Sequence, residues 1–490
     1  MLDAYCWPQS GRPGDVINLA ISGDAGPCRV DLQRIGATVE TVHTIDAVTV
    51  ADQPVPDDVA VAGCGWDTSA EITIDPSWQT GFHLVRVTAA NGETCEAFLV
   101  VRPATTGDTL LVLSTSTWAA YNDWGGPSFY TGGHRSSQQR PLPLGFLDKP
   151  RPDYFRMAGF LDMPRDDRRS HFADYSMWSS AAGFANWERL FVEWAEREGL
   201  QLDYATSMDL AQEPDLLDPY STYVSVGHDE YWSASMRDHV EGWVEAGGHA
   251  VFLSGNTSFW QIRFEGDEDH QVVGYKLDFA LDPVVGTSEE HTVSTMWSDP
   301  LTGRPESEMT GVTFTRGGYA HVRNAPRGTG GYTVWQPDHP YFDGVELLAG
   351  DVLGGDPVIV GYECDGCELT LVDGRPVATG SGGTPDNFVV LGTAPAHLWA
   401  TEEGAPGLPD SYVGELNWVA ERLGGADTAE NRAAYGSGRA VMGCFDRGAG
   451  SVFTAGCTDW AYGLVDADVS RVTRNVIGKH ATFATEAPEG

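Results

Sequence analysis

The stretch YVSVGHDEYW, residues 223–232, indicates the fold more clearly than any other part of the chain. Its first four residues alternate and are rich in β-forming side chains, which predicts a buried strand that Gly227 ends. Residues 233–248 place apolar side chains at helical spacing before two glycines, which predicts a helix. His228, Asp229 and Glu230 therefore follow a strand end, where open α/β sheets bind ligands and where such side chains hold metals or move protons. Runs of this kind also occur by chance in an acidic protein.

The alternation of strands and helices continues on both sides of this motif. The segments TLLVLSTST (109–117) and HAVFLSG (249–255) are apolar enough to be buried strands of a parallel sheet, and WERLFVEWAEREG (187–199) has the spacing of a helix. From about 290 to 375 the chain is rich in β-forming residues, glycine and proline, which indicates a β-rich insertion. We therefore predict an α/β domain with a mainly parallel sheet over residues 104–485.

Residues 1–103 have a different pattern, with short alternating segments separated by turn signals. Examples are DVINLAISG (15–23), CRVDLQRIG (28–36) and GFHLVRVTA (81–89). This spacing predicts an immunoglobulin-like β-sandwich, in which no residue points to catalysis. Four of the eight cysteines lie in this region, so one or two disulfides are expected only in an oxidising compartment.

Composition excludes several classes of partner. The 490 residues carry a formal net charge of −40, and only three of the 30 basic residues are lysine. Such a chain repels nucleic acid and anionic membranes. No apolar stretch approaches the length of a bilayer span, and the residues after Met1 do not have the pattern of a secretory signal. We expect two or three domains and a soluble, cytoplasmic protein.

Two other segments that follow predicted strands are dense in aromatic and polar residues. The segment STWAAYNDWGGPSFYTGGHRSSQQRP (116–141) contains Tyr121 and Tyr130. The segment LSGNTSFWQIRFE (253–265) places Asn256 at a predicted strand-to-helix turn. Because all three segments follow strand ends, they can converge at one edge of the sheet.

These segments resemble the large (beta) subunit of the N,N-dimethylformamidases. The most specific elements are TWAAYN, SFY…SSQQRP, VGHDEYWS, SGNTSFWQ and VGYE (360–363), and the resemblance covers most of the chain. It implies an immunoglobulin-like domain before a flavodoxin-type, class I glutamine amidotransferase-like domain. It also implies iron-dependent hydrolysis of a small N-substituted amide, dimethylformamide-like, to a carboxylic acid and an amine. The ligands of a mononuclear ferric ion, Fe(III), would be Tyr121, Tyr130 and Glu230.

The donor chemistry agrees with this ligand set. Phenolate and carboxylate are hard oxygen donors, which suit trivalent iron better than zinc. Three protein ligands leave positions for a water and the amide oxygen, so the metal can act as Lewis acid and water activator. The alternative for Tyr121 and Tyr130 is that they are ordinary loop aromatics. The family has a longer segment between its two tyrosines, so Tyr154 is the alternative to Tyr130.

His228 and Asn256 can act on water and substrate. In extended backbone, His228 shares a side with Glu230 and can be the general base for a metal-bound water, or else it orients a ligand or caps the next helix. Asn256 can donate to a developing oxyanion, or it is a turn residue in left-handed backbone. Asp229 would point away from Glu230 and is interpreted as structural.

Lys276 and Glu363 are placed near the site by the resemblance. Lys276 is consistent with a required point charge in a chain that otherwise uses arginine, and Glu363 is alternatively a surface carboxylate in a turn. Glutamine amidotransferases have a nucleophilic cysteine where this chain reads SGNTSFW, so a thioester route is not favoured. The Cys364–Cys367 pair is interpreted as a turn, because no second pair stands at zinc-finger spacing.

Two alternative functions are consistent with the same residues. One is hydrolysis of a different, larger amide on the same iron site, since a fold does not determine its substrate. The other is a non-catalytic scaffold that has lost the metal. The resemblance further implies a small helical partner subunit and self-association. No segment here corresponds to that subunit or to a large insertion that the family carries in its amino-terminal half.

Overall fold

The computed structural model is a mixed α/β structure that contains several sheets. It describes residues 2–24, 26–150, 156–160, 175–322, 325–400 and 415–479. No helix in these ranges has the length and apolar character needed to cross a bilayer.

The strands up to residue 101 form two sheets with a shared core. Their bounds are β1 Asp3–Trp7, β2 Ser10–Gly11, β3 Val16–Ser22, β4 Gly26–Ile35, β5 Val39–Val50, β6 Ala70–Thr73, β7 Gly81–Ala89 and β8 Thr94–Val101, and the short helix α1 spans Val59–Ala62. The strand orders are β1-β3-β6 and β2-β8-β7-β4-β5. Leu19 and Ile21 of β3 lie in one buried cluster with Val85 and Val87 of β7, so the two apolar faces pack together. The immunoglobulin-like arrangement and the domain boundary at residue 103 stay predictions.

The remaining strands and helices alternate over much of the chain. The strands are β9 Thr109–Leu113, β10 Arg135–Ser137, β11 Asp203–Thr206, β12 Thr222–His228, β13 Tyr231–Ser233, β14 His249–Gly255, β15 Trp260–Glu265, β16 Gln271–Val273, β17 Thr313–Tyr319, β18 Tyr332–Val334, β19 Val352–Leu353, β20 Glu363–Gly366, β21 Leu369–Val372, β22 Arg375–Ala378, β23 Val389–Pro395, β24 Arg439–Arg447 and β25 Gly450–Thr454. The helices are α2 Thr115–Tyr121, α3 Met157–Phe160, α4 Glu188–Arg197, α5 Ser207–Gln212, α6 Ala234–Ala246, α7 Ser307–Thr310, α8 Leu416–Gly424, α9 Ala429–Gly436 and α10 Ala467–Ile477.

The central sheet has nine strands in the order β11-β9-β12-β14-β25-β24-β23-β18-β19. Its first four neighbouring pairs are parallel and its last four are antiparallel. The prediction of a mainly parallel sheet thus describes only half of it. The pairing changes from parallel to antiparallel at β25 and β24. A tight hairpin joins these two strands and reverses the chain direction without a crossover helix. The β-rich residues 290–375 contribute β18 and β19 to this sheet, and their description as an insertion stays a prediction.

The strand of the opening motif lies inside the parallel half. Every residue of β12 is buried, and its last residue, His228, is opposite Gly255 of β14. The helix predicted after it is α6, where the Ser233 hydroxyl accepts from the Met236 N–H at the start and Gly247, with φ 127°, ends the helix. The ends of β12 and β14 therefore bring two of the three polar segments to one edge of the sheet.

The chain after β14 differs from the prediction. Asn256 and Ser258 have left-handed backbone, with φ of 51° and 54°, and the chain then enters strand β15 instead of a helix. The reason is pairing: Trp260 of β15 lies opposite Tyr231 of β13 in a parallel register. The turn is thus a strand-to-strand connection. All eight cysteines are free thiols in the structure, so it contains no disulfide in the amino-terminal region.

Candidate functional site

The Glu230 carboxylate lies at the centre of a buried polar group beyond the end of β12. Its Oε2 accepts a hydrogen bond from the Tyr121 hydroxyl at 2.9 Å, and its Oε1 accepts from the Tyr130 hydroxyl at 2.9 Å. The indole N–H of Trp260 also donates to Oε1, at 2.7 Å. Glu230 is only 2% exposed, so water cannot solvate its carboxylate. These three donors supply the hydrogen bonds that water would otherwise provide. Three segments distant in sequence therefore converge on one carboxylate.

Helix α2 positions two of the predicted ligands. It begins directly after β9, and Tyr121 is its last residue. Thr117 lies one turn earlier, and its hydroxyl accepts the backbone N–H groups of Glu230 at 3.0 Å and Tyr231 at 3.4 Å. Because Thr117 and Tyr121 share a face of the helix, α2 places the phenol beside the residue whose backbone it binds.

The two predicted tyrosine ligands lie against one another. Their rings stack with centroids 4.4 Å apart, and Trp178 packs on Tyr130 at 4.9 Å. The Tyr231 hydroxyl donates to the Tyr130 hydroxyl at 2.9 Å. Burial, followed by the charge of Glu230, raises the pKa of Tyr121 and of Tyr130 well above 10. A cation beside these oxygens would offset both causes.

His228 bridges two carboxylates. Its Nε2 lies 2.6 Å from Glu363 Oε2 and 3.3 Å from Glu230 Oε2, while the Ala181 carbonyl lies 2.8 Å from Nδ1. Burial alone would lower the pKa of His228, but Glu363 and Glu230 raise it to about 9. The structure therefore brings His228 and Glu363 together as a charge pair, and Glu363 is buried and not a surface carboxylate.

Asn256 and Lys276 complete the predicted set. Asn256 Nδ2 donates to Glu363 Oε2 at 3.0 Å, and Asn256 Oδ1 is a buried acceptor with no partner among the described residues. Lys276 Nζ lies 3.3 Å from the centroid of the Tyr130 ring and 5.0 Å from that of Trp260. Burial lowers the pKa of Lys276 to about 8. All seven predicted site residues thus lie in one group, and Tyr154, the alternative to Tyr130, lies outside the described residues.

Asp229 contacts the opposite side of the strand end. It accepts from the Ser225 hydroxyl at 2.7 Å, and burial raises its pKa to about 6. No hydrogen bond joins Asp229 to the phenols of Tyr121 and Tyr130 in the described part of the chain. This agrees with its interpretation as a structural residue.

Sequence reasoning missed several residues of the group. Trp260 lies in SGNTSFWQ, four residues after Asn256, and Tyr231 lies in VGHDEYWS, directly after Glu230. This nearness to predicted site residues could have identified both. Glu415 had no local signal, because it precedes α8, almost 200 positions after Glu230. Its Oε2 accepts from the Tyr319 hydroxyl at 3.3 Å, and burial together with Glu363 raises its pKa to about 8.

The types of donor atom in the group indicate which metals it could hold. The described residues contain no group of three or more histidine, cysteine, aspartate or glutamate side chains arranged to hold a metal. The predicted set belongs to a different class, with two phenol oxygens and one carboxylate. Both phenols lie within hydrogen-bond distance of Glu230, so the three predicted oxygen donors are adjacent, and donors of this kind suit a hard cation.

Comparison with known proteins identifies relatives. Over 456 residues the chain is 24% identical to the N,N-dimethylformamidase beta subunit of Paracoccus aminophilus, which covers 84% of this chain and 54% of that protein. The N,N-dimethylformamidase beta subunit of Alcaligenes sp. is 21% identical over 367 residues, which covers 68% of this chain and 45% of that protein. The chain spans about half the length of the curated relatives it matches.

A family model covers most of the chain. Residues 29–473 match the family described as "N,N-dimethylformamidase beta subunit-like, C-terminal". This range includes all seven residues of the predicted site and both halves of the nine-stranded sheet. The chain therefore belongs to the N,N-dimethylformamidase beta subunit-like family.

Proposed function

We propose that this chain is an iron-dependent amidohydrolase that cleaves a small N-substituted amide, dimethylformamide-like, to a carboxylic acid and an amine. The observation that carries the proposal is the convergence of the Tyr121 and Tyr130 hydroxyls on the buried Glu230 carboxylate. The names of the two relatives support the same reaction.

Tyr121, Tyr130 and Glu230 would hold the mononuclear ferric ion. Their oxygens are hard donors, and the pKa of each phenol is raised by burial and by Glu230, both of which a trivalent cation would counteract. When bound, the ion supplies a Lewis acid for the amide carbonyl and an acidified water.

The other side chains hold and move protons around that centre. His228 Nε2 lies 2.6 Å from Glu363 Oε2, close enough for an ion pair. In its neutral form His228 can act as a general base. Asn256 Nδ2 carries two N–H groups, and Glu363 accepts only one of them. The second can donate to the oxygen of the scissile amide as negative charge develops there.

Lys276 supplies a positive charge to this buried group. Its Nζ lies over the face of the Tyr130 ring, where a cation is attracted to the π-electrons. The surrounding carboxylates of Glu230, Glu415 and Glu363 favour its charged form against the effect of burial. Lys276 thereby stabilises a site that concentrates negative charge.

The partners and location are part of the same proposal. Both relatives are named as beta subunits, which supports a second subunit among the partners of this chain. The family resemblance further implies that this subunit is small and helical and that the chain self-associates. A cytoplasmic location is part of the same proposal.

The experiment is metal analysis combined with a substrate panel. Protein loaded with ferric iron is assayed for iron per chain, for a visible phenolate-to-iron band and for amine release from formamides and longer amides. The panel is repeated with the small protein encoded by a neighbouring gene. Amine release from dimethylformamide by iron-bound protein supports the proposal. Release only from longer amides supports the alternative, hydrolysis of a larger amide on the same iron site. Bound iron without release from any amide refutes the hydrolase activity, and absence of both iron and the band overturns the proposal in favour of a scaffold that has lost the metal.

A further inference from the structure

A single buried carboxylate holds the turn that carries Asn256. Asp365 Oδ1 accepts the backbone N–H of Asn256 at 3.0 Å, and Oδ2 accepts that of Thr257 at 3.1 Å. Asp365 is 1% exposed, so water does not compete for these bonds. Both oxygens of one side chain therefore bind two successive peptide groups of the turn.

The turn needs such a partner because its backbone is unfavourable. Asn256 and Ser258 both have left-handed φ angles, a region that is unfavourable for most residues with a Cβ and more accessible to asparagine than to serine. Residues in such conformations persist where the surrounding structure holds them. The space is also tight, since a Cβ at Gly255 would lie 2.6 Å from the carbonyl oxygen of Glu363.

The same strand determines where the Asn256 side chain points. Glu363 and Asp365 are two residues apart on β20, and Glu363 accepts from the side-chain amide while Asp365 accepts from the backbone. Strand β20 is itself held, because the Asp365 N–H donates to the Gly456 carbonyl at 3.0 Å. Strand β20 thus binds both the backbone and the side chain of Asn256.

We propose that Asp365 is a positioning residue for amide hydrolysis: by binding the N–H groups of Asn256 and Thr257, it aims the Asn256 side-chain amide at the substrate oxygen. The inference rests on the proposed function, because it gives Asn256 the part of oxyanion donor. Among the described residues no hydrogen bond joins Asp365 to the three predicted metal ligands, so we assign its effect to its contacts with Asn256 and Thr257.

The first test is structural and does not depend on activity. Hydrogen exchange of the amides at residues 256–258 is measured in the iron-loaded wild type, in Asp365→Asn and in Asp365→Ala. The asparagine keeps the volume and one acceptor, so it provides a folded variant where the alanine is poorly tolerated. The matched control is Asp203→Ala, which removes another buried carboxylate-to-backbone bond, to the Gly107 N–H at 2.7 Å, at the other end of the sheet.

Faster exchange at residues 256–258 in the Asp365 variants, and not in Asp203→Ala, is the expected result. We expect the alanine to increase exchange there by about tenfold or more, because both buried N–H groups lose their acceptor. Unchanged exchange in both Asp365 variants overturns the proposal, whether or not the protein hydrolyses amides.

The second test is a double-mutant cycle with Asn256→Gly, which removes the side-chain amide and tolerates left-handed backbone. Asp365→Ala is expected to lower kcat about 100-fold with little change in KM, since misplacing a transition-state donor costs that much. Asp365→Asn should restore part of this loss. In the Asn256→Gly background, the same Asp365 change should cause no further loss.

Two results separate the proposals. An equal fall of kcat in both backgrounds shows that Asp365 does not act through Asn256, and overturns the inference. If the wild-type protein hydrolyses no amide but the variants show the expected exchange pattern, the proposed function is refuted. The binding of the Asn256 turn by Asp365 is then still confirmed.

Discussion

The Thr117 hydroxyl lies 3.0 Å from the backbone nitrogen of Glu230 and accepts its hydrogen bond. This bond joins helix α2, which follows β9, to the residues that follow β12. Tyr121 lies one turn further along α2 and donates to the carboxylate of the same glutamate. A helix and a strand end that are 109 residues apart are thereby locked together at the centre of the site.

We predict that Thr117→Val destabilises the protein and weakens iron binding. The replacement keeps the shape but leaves the buried Glu230 N–H without its acceptor, which costs about 1–3 kcal/mol. Urea denaturation measures the stability change, and titration with ferric iron measures the affinity. Thr222→Val is the control, because the Thr222 hydroxyl is buried without a partner in the described part of the chain. Equal stability of the two valine variants would contradict the prediction.

We predict that Tyr130→Phe shifts or removes the visible phenolate-to-iron band and lowers the iron content. The change deletes one of three oxygen donors and leaves the ring stacked on Tyr121. Tyr204→Phe is the control, since Tyr204 is a buried tyrosine whose hydroxyl has no partner among the described residues. Absorption spectra and metal analysis of both variants decide the matter. A Tyr130→Phe protein with the wild-type band would mean that another residue is the second tyrosinate.

We predict that stability falls as the pH is lowered from about 6.5 towards 4, with His83 as one cause. Burial lowers the pKa of His83 to about 4, and its Nε2 has no partner within the described residues. The unfolded chain then binds a proton that the folded chain does not, so His83 contributes about 2 kcal/mol of lost stability at pH 5. His83→Phe, whose ring can still stack on Trp78, should flatten this part of the profile. The same replacement at the exposed His291 should leave the slope unchanged.

We predict that added salt raises the melting temperature. The net charge of −40 makes self-repulsion the main long-range electrostatic effect, and the Debye length falls from about 10 Å at 0.1 M to about 3 Å at 1 M salt. Thermal unfolding in sodium chloride measures this, with sucrose as an uncharged control. A melting temperature that falls with salt would show that surface ion pairs such as Arg432–Asp427 outweigh the repulsion.

Local patterns were sufficient to predict the elements around the site. The alternation in YVSV predicted β12, and the apolar spacing before Gly247 predicted α6, because side-chain periodicity follows directly from backbone geometry. The helix predicted at 187–199 was found at 188–197 for the same reason. The strand predicted at 109–117 was found only at 109–113, because residues 115–121 form helix α2.

Long-range contacts explain where prediction failed. The turn at Asn256 was expected to start a helix, but Asp365, 109 residues later, holds its backbone in a left-handed conformation. The antiparallel half of the sheet depends on the β24–β25 hairpin, whose place in the strand order no local pattern reveals. Glu415 was missed because only packing brings it near Lys276 and Glu363.

The sequence by itself determined the family, the oxygen-rich choice of candidate ligands and the strands that the ligand-bearing segments follow. Only the tertiary structure decided that both phenols meet the Glu230 carboxylate, that His228 pairs with Glu363, and that Lys276 lies on the Tyr130 ring. The physical reason is that periodicity and residue chemistry are local properties. Hydrogen bonds between residues 100 or more positions apart, and the burial that changes their pKa values, exist only once the chain has packed.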